Sequence, residues 1–327
     1  MSTEPRRVTN TEIWAAWENQ VVNGVYPLRR FVGASRHSAV FLTEYTAESP
    51  AKHLTDVAIK LVPDDSTGAE AQLAQWAAAA AITHPHLIRL FDSGRCQLGG
   101  RGFLFVVMEY AEQTLADILQ KRALVAGEVR EMLPPMLDAL AFLHRNHLVH
   151  GHLKPSNLMA VDDRLKLTSD RLRPTGHSAN GVVRKSLYDP PELSSGTISA
   201  AGDVWALGIT LVEALTQRTW ARSRERGDTG SLLAGLPAPF ADTVRRCLSR
   251  TPADRPTIVE LEAQYNPTPR DAATPAPQPP ATEAPSASEP SLEASTPQHL
   301  SGSRVSALVV IAGALLIFLI AWAVLRS

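Results

Sequence analysis

The chain is 327 residues long, with 32 lysines and arginines against 33 aspartates and glutamates and a formal net charge of −1. That balance excludes recruitment to nucleic acid by bulk charge, and no nucleic-acid partner is expected. Two cysteines, Cys96 and Cys247, stand far apart in no metal-ligand spacing and are read as reduced thiols. The opening stretch MSTEPRRVTNTE lacks the apolar segment a secretory signal needs.

Residues 1–25 read as a helical extension in which TEIWAAWENQVV carries Trp14 and Trp17. Packing on the following lobe is the expected role of these indoles, and a docking patch is the alternative. YPLRRFVGASRHSAVFLTEY predicts two strands joined by a tight turn, with apolar residues at Phe31, Val40 and Phe41. Asp56–Val62, DVAIKLV, is a short β-branched strand carrying one lysine, Lys60. EAQLAQWAAAAAIT is rich in helix formers and is stopped by His84-Pro85. FLFVVMEYA is another buried strand, and leucines and alanines recur at three- and four-residue steps from Glu128 to His147, as on a long half-buried helix. Strands first and helices afterwards predict an α+β chain with a sheet lobe and a helical lobe.

Beyond Tyr265 the composition changes. Residues 266–303 are mostly Pro, Ala, Ser, Thr and Glu with almost no large apolar side chains, which predicts a disordered linker. Residues 305–325, VSALVVIAGALLIFLIAWAVL, hold no charge and lie between Arg304 and Arg326. As a helix this run would be about 31 Å long, matching a hydrocarbon core of about 30 Å, and a single transmembrane helix is expected. Such an anchor leaves the large domain on the cytoplasmic side of the cell (inner) membrane.

Seven short motifs then occur in one order: Val57-Ala58-Ile59-Lys60, His84-Pro85-His86-Leu87, Met108-Glu109-Tyr110-Ala111, Leu153-Lys154-Pro155-Ser156-Asn157, Pro190-Pro191-Glu192, Asp203-Val204-Trp205-Ala206-Leu207-Gly208 and Asp254-Arg255-Pro256. On these residues the stretch from about Tyr26 to Tyr265 resembles the bacterial eukaryotic-like Ser/Thr protein kinases. The resemblance implies a two-lobed protein-kinase-like fold with a β-rich N-lobe and a helical C-lobe. It also implies a nucleotide cleft formed by Gly33, Val40, Ala58, Lys60, Glu109, Ala111, Lys154 and Asn157. Glu192 and Arg255 match the family's buried ion pair, and Asp203 matches the residue that fixes the catalytic-loop backbone.

The residues that would perform phosphoryl transfer depart from the pattern. His152 stands where the family's catalytic aspartate orients the acceptor hydroxyl. Aligning the Lys166-Leu167 strand puts Ser169 at the metal-binding aspartate, with Asp170 one place along as the alternative through a local slip. No metal ligand is assigned; Asn157 and Asp170 are the candidates, and Mg²⁺ is a doubtful cofactor while ATP remains a candidate. The phosphate-covering loop reads Gly33-Ala34-Ser35-Arg36-His37-Ser38-Ala39-Val40, with serines where glycines belong. Spacing brings Gln75 rather than a glutamate to Lys60 and turns Glu70 away, leaving Lys60 to contact phosphate or to snorkel. Gly151 replaces an arginine that receives an activation-loop phosphate in many relatives, so switching by phosphorylation of that loop is not expected.

The residues that build the lobes are present and the acids that do the chemistry are not. A membrane-anchored pseudokinase is expected, acting on protein partners as a signalling or scaffold module with weak ATP binding. The alternatives are an active Ser/Thr kinase that uses His152 or Asp170 in unusual roles, and a spacer that binds no nucleotide.

Overall fold

The N-terminal segment does not stay helical. A computed structural model describes residues 14–35, 37–46, 53–64, 68–176, 186–195 and 198–266. Within it, β1 (Val21–Val22) pairs antiparallel with β2 (Tyr26–Pro27). Asn23 and Gly24, at φ 50 and 71, make the left-handed turn between them. From Val21 onward this corrects the expectation of a helical extension over residues 1–25, of which residues 1–13 lie outside the described residues: two β-branched valines before Asn-Gly favour a hairpin. Trp14 and Trp17 both pack on Phe103, at ring-centroid distances of 5.6 and 5.9 Å.

Next come β3 (Arg30–Ser35), β4 (Ser38–Thr46), β5 (His53–Pro63), α1 (Ala69–Ala80), β6 (Leu90–Leu98) and β7 (Arg101–Glu109). The strands form one antiparallel sheet in the order β3-β4-β5-β7-β6. Strand alternation sorts β5 onto two faces. Val57, Ile59 and Leu61 join Trp14, Tyr26, Phe41, Phe103 and Phe105 on the outer side, while Ala58 joins the core shared with the helices.

The helical part holds β8 (Gln113–Thr114), α2 (Leu115–Leu119), α3 (Ala126–Arg145), β9 (Leu148–Val149), β10 (Leu158–Val161), β11 (Arg164–Leu167), β12 (Arg173–Pro174), α4 (Ala200–Thr216), α5 (Trp220–Arg226), α6 (Thr229–Ala234), α7 (Phe240–Cys247) and α8 (Ile258–Tyr265). Along α3 the buried side chains Val129, Met132, Leu133, Met136, Leu137, Leu140 and Leu143 repeat at helical spacing. Helix α4 is buried along most of its length. At Gly208 a Cβ would stand 2.8 Å from that of Cys247, so glycine permits the close approach of α7. Residues up to Tyr265 form one compact unit. The expected linker beyond Asn266 and the expected membrane helix at 305–325 lie outside the described residues. No described helix is long and apolar enough to cross a membrane.

Arg255 ties three pieces of this lobe together. Its guanidinium holds Glu192 through two bonds of 2.6 and 2.7 Å, and donates to Ser249 O and Ala201 O at 2.9 Å each. It also lies 5.0 Å from the Trp205 ring centroid. The Arg255 side chain is fully buried and that of Glu192 is 22% exposed. Breaking such a pair leaves a charge without its partner at about 3–5 kcal/mol. Arg255→Ala is therefore expected to lower the unfolding free energy by about 3 kcal/mol or more in a denaturant titration.

Candidate nucleotide and catalytic site

The loop from His150 to Asn157 is shaped by one buried carboxylate. Asp203 lies in the first turn of α4, which Ser199 caps, and is 2% exposed. It accepts the amides of His150 and Gly151, each at 2.8 Å, and faces His144 Nε2 at 3.0 Å. Gly151 has φ +66, a left-handed conformation that disfavours any residue with a Cβ. The amide of Asn157 closes the loop by donating to His152 O at 2.7 Å.

His152 is largely enclosed beside cations. Burial lowers its pKa first, Arg171, Lys154 and His150 add to the effect, and Asp170 opposes it, leaving a value of about 3. The imidazole is thus neutral and a feeble base at neutral pH. Lys154 also falls below the ordinary lysine range, through burial and then the charges of Arg171 and Lys60.

The acid in the cleft is Asp170. Its Oδ2 accepts from Lys60 Nζ at 2.6 Å, whereas Ser169 Oγ donates to Ile88 O and is buried. This corrects the placing of Ser169 at the acid's position, and Lys60 pairs with an acid instead of snorkelling to the surface. The reason is local: Leu172 N reaches back to Ser169 O at 3.5 Å, so the segment turns instead of running extended. Strand alternation does not apply there. Burial alone would raise the Asp170 carboxyl. The Lys60 charge and hydrogen bond outweigh it, helped by Arg171 and His150, and bring it to about 2.

Helix α1 fixes this turn from above. Trp76 Nε1 donates to Asp170 O at 3.0 Å and Gln75 Nε2 to Leu172 O at 2.7 Å. Gln75 thus faces inward but meets a carbonyl instead of Lys60, and Glu70 pairs with Arg95 at 2.8 Å. Sequence reasoning missed Trp76 and Arg171; a tryptophan beside the inward-facing Gln75 was the available signal.

The roof is the β3–β4 hairpin. Gly33 pairs with Val40 after a bulge, and Val40 pairs in turn with Lys60 of β5. Ser35 Oγ and Ser38 Oγ bond each other at 2.8 Å, and His37 N donates to Ser35 Oγ at 3.2 Å, which pins the hairpin tip to itself. Ala58 is buried and Val40 half-buried. At the hinge, the Glu109 side chain is held by Lys166 Nζ at 2.8 and 2.7 Å and by Arg89 N at 3.0 Å. The main chain of Glu109–Ala111 is therefore what the hinge can offer a base.

This fold and cleft define a protein kinase domain. The family model of that description matches residues 45–265, more than half of the chain, and the chain belongs to that family. The matched stretch begins at the end of β4, the second strand of the roof hairpin. Among its relatives are Ser/Thr kinases, which places it with the eukaryotic-like Ser/Thr type. The chain is 31% identical to serine/threonine-protein kinase PknB of Mycolicibacterium smegmatis over 149 residues, covering 42% of this chain and 24% of that protein. PknB of Mycobacterium tuberculosis is 30% identical over 149 residues, with 42% and 24% covered. A carbon catabolite-derepressing protein kinase of Secale cereale is 31% identical over 216 residues, with 60% and 42% covered. The chain thus spans less than half the length of each of these relatives. Family membership implies ATP, usually with Mg²⁺.

The Asp170 carboxyl is depressed in the folded protein, so its stabilisation is complete above its unfolded pKa of about 3.9 and is lost as pH falls toward 2. Unfolding titrations from pH 6 to pH 2 should show Asp170→Asn losing about 2 kcal/mol less over this range than the parent chain.

Proposed function

We propose that this chain is a pseudokinase: a membrane-tethered kinase-fold domain that works by binding protein partners and transfers no phosphate at a useful rate. The observation that carries this reading is His152, a neutral imidazole of pKa about 3 in the place of a carboxylate. It has neither the fixed negative charge to orient a hydroxyl nor the basicity to take its proton. Loss of a general base costs about 10²–10⁴-fold in rate. The loop around it is intact, which suits a module that keeps its shape for binding. The uncharged run of residues 305–325 supports a tether.

For a nucleotide, the residues present fit. Val40 and Ala58 offer an apolar cover beside Lys60, and the hinge main chain borders them. For Mg²⁺ they fit poorly. The Asp170 carboxylate already holds Lys60, and Lys154 and Arg171 add positive charge nearby. Mg²⁺ is usually held by one or two carboxylates together with substrate phosphates.

The competing reading, an active kinase, is favoured by one observation: Asp170 faces the cleft lysine. One assay decides between them. The full chain incubated with γ-labelled ATP, Mg²⁺ or Mn²⁺ and a generic protein acceptor is expected to transfer no more label than Lys60→Ala. Transfer at an ordinary kinase turnover of about 1–100 per second, abolished in Lys60→Ala, would overturn the proposal.

A further inference from the structure

Lys60 holds Asp170 in the cleft at 2.6 Å, and Lys154 and Arg171 lie close enough for their charges to act there. Lys60 projects from β5 beside Ala58, two residues away on the same strand face. Lys154 comes from the catalytic loop and feels both Lys60 and Arg171. Arg171 sits between Asp170 and Leu172, both buried, in a turn whose carbonyls are held by Trp76 and Gln75. With its neighbours fixed inward, Arg171 is the exposed member of that turn, and its charge acts on His152, Lys154 and Asp170 together. Among the described residues, Asp170 is the carboxylate set against this group.

We infer that the cleft floor binds the polyphosphate of an adenine nucleotide without a divalent cation, Arg171 joining Lys60 and Lys154 to supply the charge a metal would bring. The inference rests on the reading above that the cleft holds a nucleotide. Like charges crowded into a half-buried cleft repel each other and are relieved by a polyanion. A dication added to the same place meets three positive groups and one occupied carboxylate. A guanidinium also matches phosphate geometry with paired N–H donors, which makes Arg171 suited to this role. An apolar cover over Lys60 selects a base attached to the phosphates over a free inorganic anion.

Calorimetric titration of the full chain with ATP, in EDTA and again in excess Mg²⁺, tests this. Affinity in EDTA is expected to equal or exceed that in Mg²⁺. Arg171→Gln should weaken binding in EDTA by about tenfold or more and render it Mg²⁺-dependent, while Arg171→Lys keeps most of it. AMP, which lacks the outer phosphates, should respond little to Arg171→Gln. Parent-chain binding at least tenfold weaker in EDTA than in Mg²⁺ would overturn the inference and leave the pseudokinase reading standing. So would metal-free affinity unchanged in Arg171→Gln. Absence of ATP binding in both buffers would overturn it together with the nucleotide clause of the proposal. Label transfer by the parent chain would instead defeat the pseudokinase reading and leave metal-free binding to be judged by the titration alone.

Discussion

The Asp203 carboxylate holds two consecutive backbone amides, those of His150 and Gly151, and on that grip the geometry of the cleft depends. Charge-assisted bonds inside a buried site are stronger than neutral ones, and a carboxylate there needs its donors. Once the loop is fixed, His152, Lys154 and Asn157 have set directions, and Asn157 returns the favour by bonding His152 O. Arg255 performs a similar task lower in the lobe, joining Glu192 to α4 and to the loop after α7. Neither set of contacts requires that phosphate be transferred. A domain can lose its base and keep its form.

The sheet lobe is coupled to the helical part by different means. Lys60 looks to Asp170, and α1 reaches the same turn with two neutral donors, Trp76 and Gln75. A helix–lysine ion pair would depend on charge and screening. Neutral bonds from a buried indole and a half-buried amide depend on packing instead, because each leaves an unsatisfied group if broken. The arrangement holds α1 against the turn through the chain's own groups.

Much of this was legible in the sequence because the fold's structural residues carry distinctive types at distinctive spacings. Glu192, Asp203 and Arg255 occupy the roles their motifs implied, and both the lysine strand and the long amphipathic helix lie where periodicity put them. Two local features were not legible. Val21–Val22 was read with the preceding helix because alanine and tryptophan dominate the window, although Asn23-Gly24 was the turn signal. The exchange of Ser169 and Asp170 was hidden because spacing counts residues along a strand, and the chain leaves the strand at Thr168. Only the bonds from Gln75, Trp76 and Lys60 show which oxygen faces the cleft.

Phosphorus NMR of ATP mixed with the full chain follows occupancy and chemistry in one sample. With His152 neutral and the cations of the floor in place, the outer phosphate resonances should shift on addition of protein in EDTA. They should then persist for hours without ADP or phosphoprotein signals, after Mg²⁺ is restored as well as before. Steady growth of ADP and phosphoprotein resonances at an ordinary kinase rate would contradict the loss of chemistry at this site.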